Sequence, residues 1–175
     1  PYTALAEEAD ARHPLFWIEN PLVSPDGRYV VYRSNRSAPG LEGDCLWALD
    51  GEPGQETQLT ADSGVYRSPE GFVGPTEVLV CNISDDRRTY SILDAATGAE
   101  TPVQLPDLPN LSVQATSPAG FAALGCYDDS SRGTAIVRIQ GGQVETVRTL
   151  EGVYGRVRFS PGGRQAGLSY DLDPQ

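Results

Sequence analysis

Lysine and methionine are absent from this 175-residue chain, and histidine occurs once, as His13. The 13 basic residues are therefore all arginine, and 24 acidic residues leave a formal net charge of −11. A surface of that sign repels phosphate backbones and anionic headgroups, so neither nucleic acid nor a membrane surface is an expected partner. One histidine leaves no multi-histidine metal centre and a single possible base for a Ser-His-Asp triad. The chain also has no Gly-x-Ser-x-Gly elbow and no glycine-rich phosphate loop. Asp171-Leu172-Asp173 lacks the glycine and distal glutamate of a calcium loop and reads as a plain turn. No metal and no cofactor are expected on this chain. Cys45, Cys81 and Cys126 are odd in number and far apart, against a disulfide framework or a zinc knuckle; they read as small buried side chains. No apolar run is long enough to cross a membrane as a helix, and no secretory leader is evident. The chain starts at Pro1, so a processed or truncated product is expected and the compartment is left open. Helical periodicity is lacking too: Leu5-Ala6-Glu7-Glu8-Ala9-Asp10 offers one turn of helix at most.

What the chain has is a repeat. Ser-Pro-x-Gly occurs as Ser24-Pro25-Asp26-Gly27, Ser68-Pro69-Glu70-Gly71, Ser117-Pro118-Ala119-Gly120 and Ser160-Pro161-Gly162-Gly163, with serines 44, 49 and 43 residues apart. That is the length of a four-stranded propeller blade. Each copy reads as a turn, because proline presets φ and glycine supplies a conformation closed to other residues. An apolar run follows each: Tyr29 to Tyr32, Val78 to Cys81, Ala122 to Cys126 and the weaker Gln165 to Tyr170. Polar turns come next, then third strands at Cys45 to Asp50, Thr89 to Asp94 and Thr134 to Ile139, then fourth strands opening with Glu56-Thr57, Glu100-Thr101 and Glu145-Thr146. Such a unit cannot bury both faces alone, and radial stacking of copies solves this. The expected fold is an all-β propeller of four-stranded antiparallel blades, about three and a half of them present. Residues 1–13 form an extension, 14–62 a lead-in strand and first blade, 63–110 and 111–153 the second and third blades, and 154–175 an incomplete fourth. The rest of the ring, from the same gene or a second chain, is the expected partner. The Leu15 to Ile18 strand is expected to pair with a last blade.

The first repeat, Asn20-Pro21-Leu22-Val23-Ser24-Pro25-Asp26-Gly27-Arg28-Tyr29-Val30-Val31-Tyr32, continuing through Leu46-Trp47-Ala48-Leu49-Asp50-Gly51 to Gln58-Leu59-Thr60, resembles the repeat of TolB-like β-propellers. The lead-in Leu15-Phe16-Trp17-Ile18-Glu19-Asn20-Pro21 is similar to that of oligogalacturonate lyases within that group. This resemblance implies the non-metal half of a seven-bladed enzyme that cleaves acidic oligosaccharide by β-elimination. Its divalent metal, held by several histidines and a glutamine, would lie in the later blades. Two alternatives share the repeat: a non-enzymatic propeller that binds protein, and the gating propeller of a prolyl-oligopeptidase-like serine peptidase.

The turns between second and third strands share one end of a propeller with the links between blades. That end gathers Asn35, Arg36, Asp85, Asp86, Arg87, Arg88, Asp128, Asp129 and Arg132. Two links repeat a Val-Tyr followed closely by arginine: Val65-Tyr66-Arg67 and Val153-Tyr154-Gly155-Arg156. Arginine matches a carboxylate bidentately and a tyrosine ring stacks on a sugar, which suits an acidic oligosaccharide. The candidate ligand residues are Arg36, Tyr66, Arg67, Arg87, Arg88, Tyr154 and Arg156. The competing reading has the arginines paired with nearby acids and the tyrosines packed between blades.

Overall fold

The computed structural model describes residues 18–35, 45–52, 54–61, 64–85, 87–127 and 132–169, and every regular element among them is a β-strand. Strands β1 (Ile18–Val23), β2 (Tyr29–Ser34), β3 (Cys45–Asp50) and β4 (Gln55–Gln58) form one antiparallel meander. The second sheet is β5 (Tyr66–Phe72), β6 (Glu77–Ser84), β7 (Arg87–Asp94) and β8 (Glu100–Val103). The third is β9 (Ser112–Ser117), β10 (Phe121–Tyr127), β11 (Arg132–Gln140) and β12 (Gln143–Glu151). A two-stranded ladder of β13 (Arg156–Phe159) and β14 (Ala166–Ser169) completes the described part. The first strand of each sheet packs on the first strand of the next: β1 on β5, β5 on β9, β9 on β13. The sheets are thus propeller blades with their opening strands innermost.

Stacking explains why the apolar runs lack the usual alternation of a half-solvated strand. Side chains along a strand point to opposite faces in turn. In β6, Val78 and Val80 pack with Tyr29, Val31, Leu46 and Ala48 of the first blade. Leu79, between them, joins Ala122, Leu124, Ala135 and Val137 of the third. A blade flanked on both sides needs apolar residues at every position, and the core is two such interfaces. Cys45, Cys81 and Cys126 are buried free thiols within these layers.

Three of the four Ser-Pro-x-Gly copies close the same turn. The N–H groups of Gly27, Gly120 and Gly163 donate to the carbonyls of Ser24, Ser117 and Ser160 at 2.9, 3.0 and 2.8 Å, with glycine φ of +76°, +85° and +66°. The serine hydroxyl oxygens of Ser24 and Ser160 also accept from the N–H groups of Tyr29 and Gln165, at 2.8 and 3.1 Å. The second copy departs from the expectation. Ser68-Pro69-Glu70-Gly71 lies inside β5, and the turn has moved to Val73–Thr76, closed by the Val73 N–H on the Glu77 carbonyl at 2.8 Å. The later pair Gly74-Pro75 supplies the stronger turn signal there. Gly71 serves a different need: it sits at a bulge with φ +152°, and a Cβ on it would overlap the Thr116 hydroxyl of β9. It lets two innermost strands approach closely.

Of the lead-in strand, Leu15, Phe16 and Trp17 lie outside the described residues, and only Ile18 is placed. Ile18 opens β1 and pairs with Ser34 of β2, within the first blade. Its strand order requires this, since a four-stranded meander needs a strand before the first Ser-Pro-x-Gly turn. Arg36, Asp86, Asp128, Asp129, His13, the Leu5–Asp10 segment and Asp171–Asp173 lie outside the described residues.

Candidate functional site

Tyr66 opens β5 on the end of the molecule that carries the hairpins joining second to third strands. Tyr66 is 42% exposed, and the Arg33 guanidinium of the first blade lies 4.2 Å from its ring centroid. Arg33 is itself buried and ion-paired with Glu19. Tyr154 is held in a parallel way by the blade before it. Its ring centroid lies 5.5 Å from that of Tyr127 at the end of β10, and the two are 40% and 45% exposed. Arg132 covers the Tyr127 ring at 4.9 Å and its Nη2 donates to the Tyr127 hydroxyl at 3.3 Å. Each tyrosine is therefore packed against a neighbouring side chain and still exposed to solvent.

The arginine beside Tyr66 points inward. Arg67 is 5% exposed, and its Nη1 donates to Asn82 Oδ1 at 3.0 Å and to Glu100 Oε1 at 2.8 Å. The Ser91 hydroxyl donates to the same Glu100 oxygen at 2.6 Å and accepts from Asn82 Nδ2 at 2.9 Å. This network joins all four strands of the second blade. Arg156, in contrast, opens β13 as an exposed residue, while the next position, Val157, is buried.

Arg87 and Arg88 open β7 beside a groove of about 990 Å³. Its far wall is the link from β8 to β9, with Gln104, Asp107, Asn110 and Leu111, and its near wall includes Tyr90. Arg88 Nη1 donates to the Leu111 carbonyl at 3.2 Å, which ties the two walls together. Asn110 Nδ2 donates to the Tyr127 carbonyl at 3.0 Å, so the groove runs up to the tyrosine face. Tyr90 and its cross-strand partner Cys81 are both pushed up in pKa, first of all by burial. Burial likewise raises the Glu70 carboxyl, against the opposing pull of a Ser68 hydrogen bond and the Arg88 charge.

The structure thus brings Tyr66, Arg87, Arg88, Tyr154 and Arg156 to one end, draws Arg67 into the interior, and leaves Arg36 outside the described residues. Sequence reasoning missed Arg33, Tyr127 and Asn110. Arg33 and Tyr127 both stand near the end of a second strand, immediately before a polar turn, and that position relative to the repeat is the signal that would have found them. Among the described residues no group of three or more His, Cys, Asp or Glu is placed to hold a metal ion.

Solved structures share this architecture. TolB from Acinetobacter baumannii superposes with a TM-score of 0.62 at 14% identity, over 91% of this chain and 39% of that one. The fold is that of a TolB-like β-propeller. The propeller is similar also to a structure from a study of two prolyl endopeptidases, with a TM-score of 0.56 at 16% identity, over 84% of this chain and 22% of that one. At these identities the likeness shows the fold alone, and fold carries no function by itself. The chain spans well under half the length of either structure. No protein-family model matches the sequence, and no curated protein matches it. No helix among the described residues is long and apolar enough to cross a membrane.

Proposed function

We propose that this chain is a binding segment of a larger TolB-like propeller, which docks a partner protein through its tyrosine- and arginine-bearing end and performs no chemistry of its own. The observation that carries this is exposed tyrosines that are already packed: Tyr66 against Arg33, and Tyr154 against Tyr127, whose ring Arg132 also covers. Rings fixed before binding lose little entropy on contact, and tyrosine and arginine are the side chains that anchor protein interfaces. Selection of ligands from a peptide display library tests it. Enriched peptides whose binding falls at least about tenfold on Tyr154→Ala support the reading. Failure to enrich, or peptides indifferent to that substitution, would sink it.

An acidic oligosaccharide is the second reading. It is favoured by Arg156 and Tyr154, an exposed cation and an exposed ring on one link. In that case the divalent metal and the base of a β-elimination would come from elsewhere in the ring, and this chain would supply scaffold and carboxylate contacts. Titration with trigalacturonate separates the two, since it would saturate at Tyr154 and Arg156 only under the saccharide reading. A gating role before a peptidase domain draws on the fold likeness alone.

A further inference from the structure

We propose that the groove between β7 and the Gln104–Leu111 link takes a short acidic peptide segment, its carboxylate read by Arg88 and Arg87 and an adjacent apolar side chain laid against Leu108 and Leu111. This rests on the protein-docking reading and names the chemistry of the segment that the docked partner presents. Three observations carry it.

The first is charge. In a chain of net charge −11, two guanidinium groups border this groove against the single carboxylate of Asp107. Arg28, Arg33, Arg67 and Arg138 are each ion-paired within the molecule, whereas Arg87 and Arg88 enter no ion pair among the described residues. Glu70 is not among the residues that line the groove.

The second is preorganisation. Arg88, which lines the groove, is tethered to the Leu111 carbonyl through Nη1, and its other N–H groups make no hydrogen bond among the described residues. A guanidinium fixed in this way pairs with a carboxylate in a defined plane. The opposing wall is stiffened by Pro106 and Pro109 and pinned by Leu105, which is buried in the core between the second and third blades.

The third is shape and polarity. The volume of about 990 Å³ is within the span of binding clefts, and Leu108 and Leu111 are partly buried hydrophobics at its wall. A cation pair beside a short apolar strip fits a segment in which an acidic residue neighbours a leucine-sized one. Continuity with the Tyr127 face through Asn110 lets one partner engage both.

The test is an NMR titration of the whole chain with the blocked peptide Ac-Leu-Glu-Leu-NH2, its glutamine counterpart Ac-Leu-Gln-Leu-NH2, and trigalacturonate. The glutamate peptide is expected to shift the amide signals of residues 87–90 and 104–111. The glutamine peptide is expected to bind about tenfold more weakly, as is the glutamate peptide to Arg88→Gln. Arg87→Gln, an exposed change that touches no packing, should weaken it too and guards against a fold defect in the Arg88 variant. Equal binding of the two peptides, no shifts at these residues, or tighter binding of trigalacturonate there would overturn the proposal. The two readings fail separately: the face through selected ligands indifferent to Tyr154→Ala, the groove through loss of glutamate preference.

Discussion

Two links between blades carry almost the same word, Val-Tyr-Arg in one and Val-Tyr-Gly-Arg in the other, and the propeller uses them in opposite ways. In the link from the first to the second blade, Tyr66 is exposed at the start of β5 and Arg67 follows it into the interior. In the link from the third to the fourth, Gly155 is inserted. Arg156 then takes the exposed opening position of its strand, and Val157 takes the buried one. Side chains alternate along a strand, so one extra residue exchanges inside for outside. The same residue type is thereby an internal fastener in one link and, in the other, an exposed cation with no ion pair among the described residues. What differs is phase against the strand, and composition does not record it.

The largest consequence of that difference falls on Arg67. Arg67→Ala removes the guanidinium from Asn82 and Glu100, and leaves the partly buried Glu100 carboxylate with the Ser91 hydroxyl but without this cation. Breaking a buried pair on one side costs roughly 3–5 kcal/mol, and Glu100's partial exposure brings the expected loss to about 2–3 kcal/mol. Urea denaturation should show a lower midpoint with an unchanged slope. A loss below about 0.5 kcal/mol would mean that the network contributes little and that the two links are energetically alike.

Gly125→Ala probes the other link. A Cβ at this position in β10 would overlap the Gln114 amide and stand 2.8 Å from Tyr154 Cε2. Overpacking of this kind costs about 1–3 kcal/mol, at the low end here because the Gln114 amide is the far end of a flexible chain. The ring of Tyr154 should be displaced from Tyr127, with loss of near-ultraviolet circular dichroism. Retention of that signal would show that the ring pair does not depend on this glycine.

Much of the architecture was legible in the sequence because turn chemistry is local. Ser24, Ser117 and Ser160 with their glycines close the turn that the motif implies, and β3 runs over the span Cys45–Asp50 read from its apolar pattern. The copy at Ser68 misled for an equally physical reason. Whether Gly71 turns or extends depends on the competing Gly74-Pro75 and on the approach of Thr116 from the next blade, a contact between residues far apart in the chain. The face was half legible. Tyr66 and Tyr154 were found from their repeated word, but their packing partners Arg33 and Tyr127 share no word with each other, only a place at the end of a second strand. The groove was beyond reach, since its two walls meet only when the link folds back along β7.

A smaller effect separates the two inter-blade cores. The first holds the paired charges of Arg67 and Glu100; near the second sits Glu70, whose pKa burial raises above its ordinary value of 4.5. The folded protein then binds a proton at Glu70 more tightly than the unfolded chain does. Stability from this group is greatest below the ordinary glutamate range and is lost as pH rises through the folded value. Glu70→Gln should therefore match the parent in acid and exceed it at neutral pH. A stability difference that does not change with pH would place the Glu70 carboxyl in water.

The smallest stability effect belongs to Arg156, and the comparison of the links turns on it. If phase alone decides the fate of these arginines, Arg156→Ala should change stability by no more than about 0.5 kcal/mol, the usual range for a change at an exposed position. Deleting Gly155 makes a sharper test. It restores the Val-Tyr-Arg spacing of the first link and shifts Arg156 towards the site that Val157 fills. No partner equivalent to Glu100 waits there among the described residues, so the deletion should cost several times more than the alanine substitution. Thermal unfolding of the two variants side by side decides the matter. Equal effects would mean that the link can slip without rephasing β13, and that strand phase does not fix which arginine is inside.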